Sequence, residues 1–160
     1  MKSLIKKMVC PLLITLFVSA MINPATAQKG LSGAELQKEV ESGHFTYVAN
    51  SVLPLRGRTR FLSPGNIVML SKDTLVSDLP YFGVADQPPL STDEAGIKFT
   101  STKFDYSYSA KGKGGWDVQV SLKDQTNARQ FRFTIFDNGD AVLDVTSNFR
   151  DPISFKGYIR

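Results

Sequence analysis

Gln130-Phe131-Arg132-Phe133-Thr134-Ile135-Phe136, then Asp137-Asn138-Gly139, then Asp140-Ala141-Val142-Leu143-Asp144-Val145-Thr146 is the stretch on which the fold turns. Apolar and polar side chains alternate on both sides of a turn signal, the pattern of two antiparallel strands with one buried face. Loop length then decides which residues face each other. A two-residue turn at Asn138-Gly139 would set the Phe133 ring opposite the Asp144 carboxylate. A three-residue loop, with Asp137-Asn138 as a type I turn and Gly139 left-handed in a bulge, pairs Phe136 with Asp140 instead. It places Phe133 opposite Leu143, Phe131 opposite Val145 and Ile135 opposite Ala141 on one face, with Arg132 beside Asp144 on the other. The apolar pattern selects this register, because a slip of one residue turns a whole strand face to water.

The two-residue period continues outward. Upstream, Trp116, Val118, Val120 and Leu122 alternate with Asp117, Gln119, Ser121 and Lys123, after a flexible connection at Lys111-Gly112-Lys113-Gly114-Gly115. Downstream, a last strand from Ile153 to Ile159 turns Ile153, Phe155 and Ile159 inward. Ile97 and Phe99 share one parity and Phe104, Tyr106 and Tyr108 the other, so an unbroken strand would carry its aromatics onto the wrong face; a bulge near Ser101 and Thr102 resolves this. Closer to the N-terminus, Phe45, Tyr47 and Ala49 alternate with Thr46, Val48 and Asn50 until Pro54 and Gly57 break the run. Short strands follow at Thr59 to Leu62, Asn66 to Ser71 and Thr74 to Leu79, separated by turns at Ser63-Pro64-Gly65 and Lys72-Asp73. Ala85 to Gly96, with Pro88-Pro89 inside it, reads as a long surface loop.

One helix precedes the strands. Ser32-Gly33-Ala34-Glu35 has the form of a capping box, Leu36 and Val40 give a narrow apolar stripe, and Gly43 offers a left-handed stop, which predicts a helix from Gly33 to Ser42. A short helix and seven to nine antiparallel strands make a mainly β, α+β meander. So many edges left flat would aggregate, so the meander is expected to curl into a small barrel or curled sheet.

Composition agrees. The chain has 160 residues, 42% apolar and 21% charged, which fits one globular domain and excludes collagen-like, coiled-coil and highly charged disordered chains. Twelve Gly and 8 Pro accompany 11 Phe and 5 Tyr, as in aromatic strands joined by turns. A single cysteine excludes a disulfide framework and a multi-cysteine zinc site.

The first 27 residues form a segment of their own. Lys2, Lys6 and Lys7 precede an apolar stretch from Met8 to Ile22, and Ala25-Thr26-Ala27 has the small-x-small form that signal peptidase cuts, between Ala27 and Gln28. The run from Leu12 to Ile22, interrupted by Thr15 and Ser19, falls short of the roughly 20 residues that span a bilayer. The expectation is a cleaved leader, one domain from residue 28 to 160, and a protein exported to the periplasm or beyond. Cys10 lacks lipoprotein context and leaves with the leader, so the mature chain carries no thiol, which suits an oxidising compartment. Losing three lysines leaves 16 basic against 15 acidic residues, a net charge of +1 in place of the whole chain's +4. A field that weak argues against a nucleic-acid partner.

With the leader, the short polar helix, Phe45-Thr46-Tyr47-Val48-Ala49, the Pro-containing loop before Gly96-Ile97-Lys98-Phe99, and Phe133-Thr134-Ile135-Phe136 through Asn148-Phe149 to Ile153-Ser154-Phe155-Lys156-Gly157, the chain resembles the family called domain of unknown function 4251. This is a group of small exported envelope proteins of Gram-negative bacteria. The resemblance spans roughly Glu35 to the end and implies a helix packed on a calycin-like, lipocalin-like antiparallel sheet. It brings no activity, cofactor or binding residue. The chain departs from the family in having no obvious lipoprotein cysteine.

Candidate chemistry is sparse. His44 is the only histidine, so a metal cluster cannot be built on His, and no G-x-S-x-G elbow supplies it with a nucleophile; it reads as a strand-entry residue. Lys111 to Gly115 lacks the ending of a phosphate loop, and Asp137-Asn138-Gly139-Asp140 lacks the ligand series of a calcium loop. Both read as turns, and Asp93-Glu94 caps or solvates its loop. Arg56, Arg58 and Arg60, spaced by two, would form a basic stripe on an extended segment, for an anion or a partner, or simply to keep an edge strand soluble. Phe104, Tyr106, Tyr108 and Trp116 could line an apolar cavity, or fill the barrel as core. The function expected is recognition, not catalysis: a binding or envelope-interaction module for an unknown protein or small apolar ligand, with no cofactor, no metal, no nucleic acid and no transmembrane segment in the mature chain. The alternatives are a periplasmic carrier of a small apolar ligand in the barrel interior, and last a hydrolase using His44.

Overall fold

The computed structural model describes residues 30–85, 96–125 and 128–160. Cys10, the cleavage site at Ala25, Ala27 and Gln28, and the loop residues Pro88, Pro89, Asp93 and Glu94 lie outside them. Among the described residues the chain forms one helix, α1 (Gly33–Ser42), and ten strands: β1 (Phe45–Pro54), β2 (Arg60–Phe61), β3 (Ile67–Leu70), β4 (Leu75–Leu79), β5 (Ile97–Ser101), β6 (Phe104–Ala110), β7 (Trp116–Leu122), β8 (Gln130–Ile135), β9 (Asp140–Thr146) and β10 (Ile153–Ile159). Nine follow the path β5-β4-β3-β1-β10-β9-β8-β7-β6, and the two-residue β2 pairs with β1 beside it. Chain neighbours therefore lie side by side, apart from β2, which pairs with β1 and not with β3, and from β5 and β6, which end the path; the first long strand pairs with the last, from Tyr47 opposite Ile159 to Pro54 opposite Ile153. That ladder curls the meander into a nearly closed, barrel-like sheet.

The hairpin of β8 and β9 has the register that its apolar pattern selects. Phe131 faces Val145, Phe133 faces Leu143, Ile135 faces Ala141, and Arg132 faces Asp144. The Phe136 amide donates to the Asp140 carbonyl at 2.9 Å, and the Gly139 amide donates to the Phe136 carbonyl at 2.9 Å. Gly139 sits at φ +87°, and a Cβ there would come within 2.0 Å of the Leu31 carbonyl oxygen, so the bulge position needs glycine twice over.

The seam of the barrel lies between β5 and β6, which are separated in the chain only by Thr102 and Lys103. Every step along the path is antiparallel. The two end strands therefore run the same way, and β6 continues β5 instead of folding back on it. One half of this segment pairs with β4 and the other with β7. The parity conflict between Phe99 and Phe104 is resolved by this break, where the sequence suggested a bulge. Asp124 fastens it. Its carboxylate accepts from the Ser101 hydroxyl and from the Thr102 amide, the Lys123 amide donates to the Lys103 carbonyl at 2.8 Å, and Gln125 Nε2 donates to the Thr100 carbonyl at 3.2 Å. The Ser101 hydrogen bond, above all, holds the Asp124 carboxyl below the ordinary aspartate range.

Helix α1 buries Leu36 and Val40 completely, and the Tyr106 hydroxyl on β6 donates to the Val40 carbonyl. Gly43 ends the helix at φ +66°, its amide donating to the Val40 carbonyl at 3.1 Å. The expected capping box does not form: Ser32 is the N-cap residue but makes no side-chain capping bond. Gly33 takes φ +63°, so the first turn departs from the right-handed geometry in which the Ser32 hydroxyl would reach the Glu35 amide.

The interior is a cluster of rings. Tyr47, Phe131, Phe133 and Phe155 have no exposed surface. Phe45 and Tyr47 meet Phe133 edge-on with centroids at 5.5 and 5.6 Å, and Phe99 meets Phe131 at 5.9 Å; such pairs add about 0.5–1.5 kcal/mol each beyond area burial. Among the described residues the Tyr47 hydroxyl has no hydrogen-bond partner. Burial, and secondarily the Asp144 charge, pushes its phenol well above the ordinary value of 10.0.

A group whose folded-state pKa is raised contributes fully below its unfolded pKa and loses that contribution as pH climbs past it. Tyr47→Phe should leave neutral-pH stability unchanged or raise it by up to about 1 kcal/mol, since no bond is lost. Melting scans between about pH 8 and pH 11 should show the variant losing less stability than wild type; equal alkaline losses would contradict this assignment.

Candidate functional site

β1 leaves α1 at Phe45 and reaches its far end at Pro54, and three segments converge there. The first is Leu53 to Phe61. Its chain bends back at Gly57, φ +121°, to place Arg60 opposite Val52 and Phe61 opposite Ser51 on β2. The second is Tyr81 to Ala85, beyond β4. The third is Phe149 to Asp151, ahead of β10. The Tyr81 hydroxyl lies 2.8 Å from the Val84 carbonyl and 3.0 Å from the Asp151 carbonyl, its one proton shared between the two acceptors, and the Asp151 amide donates to the Val84 carbonyl at 3.0 Å. Ala85 also bridges Arg150. The Arg60 guanidinium lies 4.9 Å from the Phe82 ring centre and that of Arg150 5.1 Å from the Tyr81 ring centre.

The apolar side chains of this end face water. Phe61 is 92% exposed, and Leu53, Leu55, Phe82, Val84 and Phe149 are exposed beside it. A lone exposed leucine is ordinary, whereas several apolar side chains grouped with arginines have the composition of a contact surface. Among the described residues no ion pair takes up Arg56, Arg58 or Arg60.

The expected arginine stripe is corrected in its geometry. Only Arg60 belongs to a strand; Arg56 and Arg58 lie in the bend around Gly57, where alternate residues no longer share a side. All three are exposed, and Arg60 alone is fixed, over Phe82. Of the two alternatives for the aromatic set, cavity lining or core, packing against the core describes three of its four members. Phe104, Tyr106 and Trp116 pack against the core, and none of them lines the clefts found between α1 and β3, on the outer face of β6 to β9, beside Pro64 or near Gln130. Tyr108 is 46% exposed, its ring tilted against that of Tyr106 at 6.1 Å. Phe104, Tyr106 and Tyr108 on the seam strand face the core residues Leu122, Val120 and Val118, and Trp116 on its neighbour lies between Ala110 and the buried Ile135.

His44 lies in a cleft of about 410 Å³ between α1, β3 and β4, with Glu35, Glu39, Thr46, Ser71, Thr74 and Arg160 on its walls. Its Nδ1 stands 3.3 Å from Glu39 Oε2, with the imidazole side chain 70% exposed. Among the described residues no hydroxyl hydrogen-bonds to it. Lys111 to Gly115 forms a tight turn in which the Lys111 amide donates to the Gly115 carbonyl at 3.0 Å, while the Lys111 ammonium pairs with Asp117 at 3.0 Å. Asp137 to Asp140 is the hairpin turn described above. Among the described residues no three His, Cys, Asp or Glu side chains gather where a metal could bind, and no helix is long and apolar enough to cross a membrane.

The exposed apolar group was missed in the sequence, where Leu53, Leu55, Phe61, Phe82, Val84 and Phe149 read as strand and loop residues. One signal was present: from Ser42 to Lys72 there is no Asp or Glu.

Comparison with known proteins agrees with the architecture. The sequence profile described as Domain of unknown function (DUF4251) matches residues 27–159. The chain belongs to this family. A crystal structure of a DUF4251 family protein from Bacteroides eggerthii DSM 20697 superposes with a TM-score of 0.59 at 18% sequence identity, covering 83% of this chain and 89% of that one. At that identity the likeness concerns the fold, which DUF4251 members thus share across distant sequences. No curated protein matches the chain.

If Phe61 belongs to a contact surface and not to the packing of the domain, Phe61→Ser should change folding stability by no more than about 0.5 kcal/mol. Chemical denaturation measures this. A loss of about 2 kcal/mol or more, the scale of a buried ring, would assign Phe61 to the structure of the barrel.

Proposed function

We propose that this DUF4251 domain is a non-catalytic recognition module of the bacterial envelope, exported by its N-terminal leader and acting through the arginine-and-aromatic end of its barrel. The observation that carries the reading is Phe61, 92% exposed in a segment with three guanidinium groups that no ion pair among the described residues takes up. Such a ring costs free energy in water and returns about 1.5–3 kcal/mol when a partner covers it. The neighbouring arginines add charge and planar hydrogen-bond donors, suited to carboxylate or phosphate. The ring cluster supports surface contact over carriage of a ligand, since Tyr47, Phe131, Phe133 and Phe155 occupy the interior themselves. Export is supported by Lys2, Lys6 and Lys7 ahead of an apolar stretch ending at Ala25-Thr26-Ala27.

Sedimentation of the purified protein with the envelope fraction of a Gram-negative host tests this. Wild type should be retained, and the variant carrying Arg56→Ser, Arg58→Ser and Arg60→Ser should be retained about tenfold less, as expected when three charges of about 1 kcal/mol each are partly screened. Equal retention of the two proteins, or retention of neither, would overturn the reading.

A further inference from the structure

The recognition reading leaves the partner open, and the shape and charge of the site narrow it. From the described residues we infer that the arginine-and-aromatic end docks onto the surface of a lipid bilayer bearing anionic phosphate headgroups. This inference rests on the reading of that end as the contact surface.

Three observations carry it. The first is charge: Arg56, Arg58 and Arg60 lie in a segment, Ser42 to Lys72, that has no Asp or Glu, and no described ion pair neutralises them. Against these three guanidinium groups and Arg150, the described part of this end sets one carboxylate, Asp151, so the local balance is positive and complementary to an anionic leaflet even though the mature chain as a whole is close to neutral. The second is shape. Leu55, Phe61, Phe82 and Val84 project from a bend, a two-residue strand and a loop, and all four are exposed. A protein or peptide ligand is gripped by concave pockets into which anchor side chains fit; projecting apolar tips among cations instead suit a soft interface that they can enter by a few ångströms. The third is arrangement. Phe61 and Leu53 lie on the outer side of β1 and β2, where their cross-strand neighbours are Ser51 and Ser154. Arg60 meanwhile holds the Phe82 ring at 4.9 Å. Aliphatic and aromatic groups can thus enter the acyl boundary while the guanidinium groups stay at headgroup depth, the division of labour that long cationic side chains permit.

The test is co-sedimentation of the purified protein with protein-free vesicles of pure phosphatidylcholine and of phosphatidylcholine mixed with phosphatidylglycerol, at low and at high salt. The inference expects about tenfold stronger binding to the anionic vesicles, falling toward the neutral level as salt screens the headgroups. Arg56→Ser, Arg58→Ser and Arg60→Ser together should abolish the preference, and Phe61→Ser should weaken binding to anionic vesicles several-fold while salt sensitivity remains. Circular dichroism of each variant checks that it is folded, and Lys72→Ser, a cation outside the bend, serves as a folded control that should bind as wild type does. Binding that ignores lipid charge, or that survives loss of the three arginines, overturns the inference. So does binding to the envelope fraction that is destroyed by prior protease treatment of that fraction, with no binding to vesicles; recognition then stands and its partner is a protein. Binding to neither envelope nor vesicles overturns both.

Discussion

β1 and β10 pair along most of their length, across roughly a hundred residues of chain, and that ladder is the constraint from which the rest follows. Without it the strands would form two separate meanders, β1 to β5 and β6 to β10, each with an exposed inner edge and half of the ring cluster facing water. With it, Tyr47 and Phe45 from one meander reach Phe133 of the other at edge-on distances. Closing so long a loop costs entropy before any contact offsets it. The offset comes from burying rings on both sides of the ladder at once.

A meander closed at β1 and β10 leaves its opposite seam to the consecutive strands β5 and β6, and the chain solves this by letting one continue the other. Among the described residues each half has a single strand partner. The other sides are served locally, by Asp124 and its neighbours at the break and by α1 packed beside Tyr106. This arrangement divides the molecule. The end near α1 is tied down by the helix, by the Leu31 amide on the Ile159 carbonyl and by the Ile159 amide on the Gly139 carbonyl. The other end is free to present loops, and there Leu53, Leu55, Phe61 and Phe82 stand exposed among arginines.

Most of the architecture was legible because burial on one face forces a period of two. The register of β8 against β9 followed from refusing to place Phe133 opposite Asp144, and the helix from Leu36, Val40 and Gly43. What failed was local geometry set by tertiary context. Ser32 and Glu35 have the letters of a capping box, but Gly33 adopts a left-handed backbone that the letters do not announce. Arg56, Arg58 and Arg60 have strand spacing, but Pro54 and Gly57 bend the segment between them. Phe104, Tyr106 and Tyr108 share a parity that fits either a hollow or a filled barrel, and only the third dimension distinguishes these. The exposed apolar end was the least legible part, since the alternation around Phe61 and Phe82 does not distinguish an exposed ring from a buried one.

Native-state amide hydrogen exchange resolves the stability of each ladder and addresses the β1–β10 closure directly. Amides of Tyr47 to Leu53 and of Phe155 to Ile159 that lie in this ladder should exchange only through global unfolding, as slowly as those of β8 and β9. If the β1 and β10 amides exchanged through a separate, lower-energy opening while β8 and β9 stayed protected, the two meanders would be independent units and the account of a barrel held by its first and last strands would be wrong.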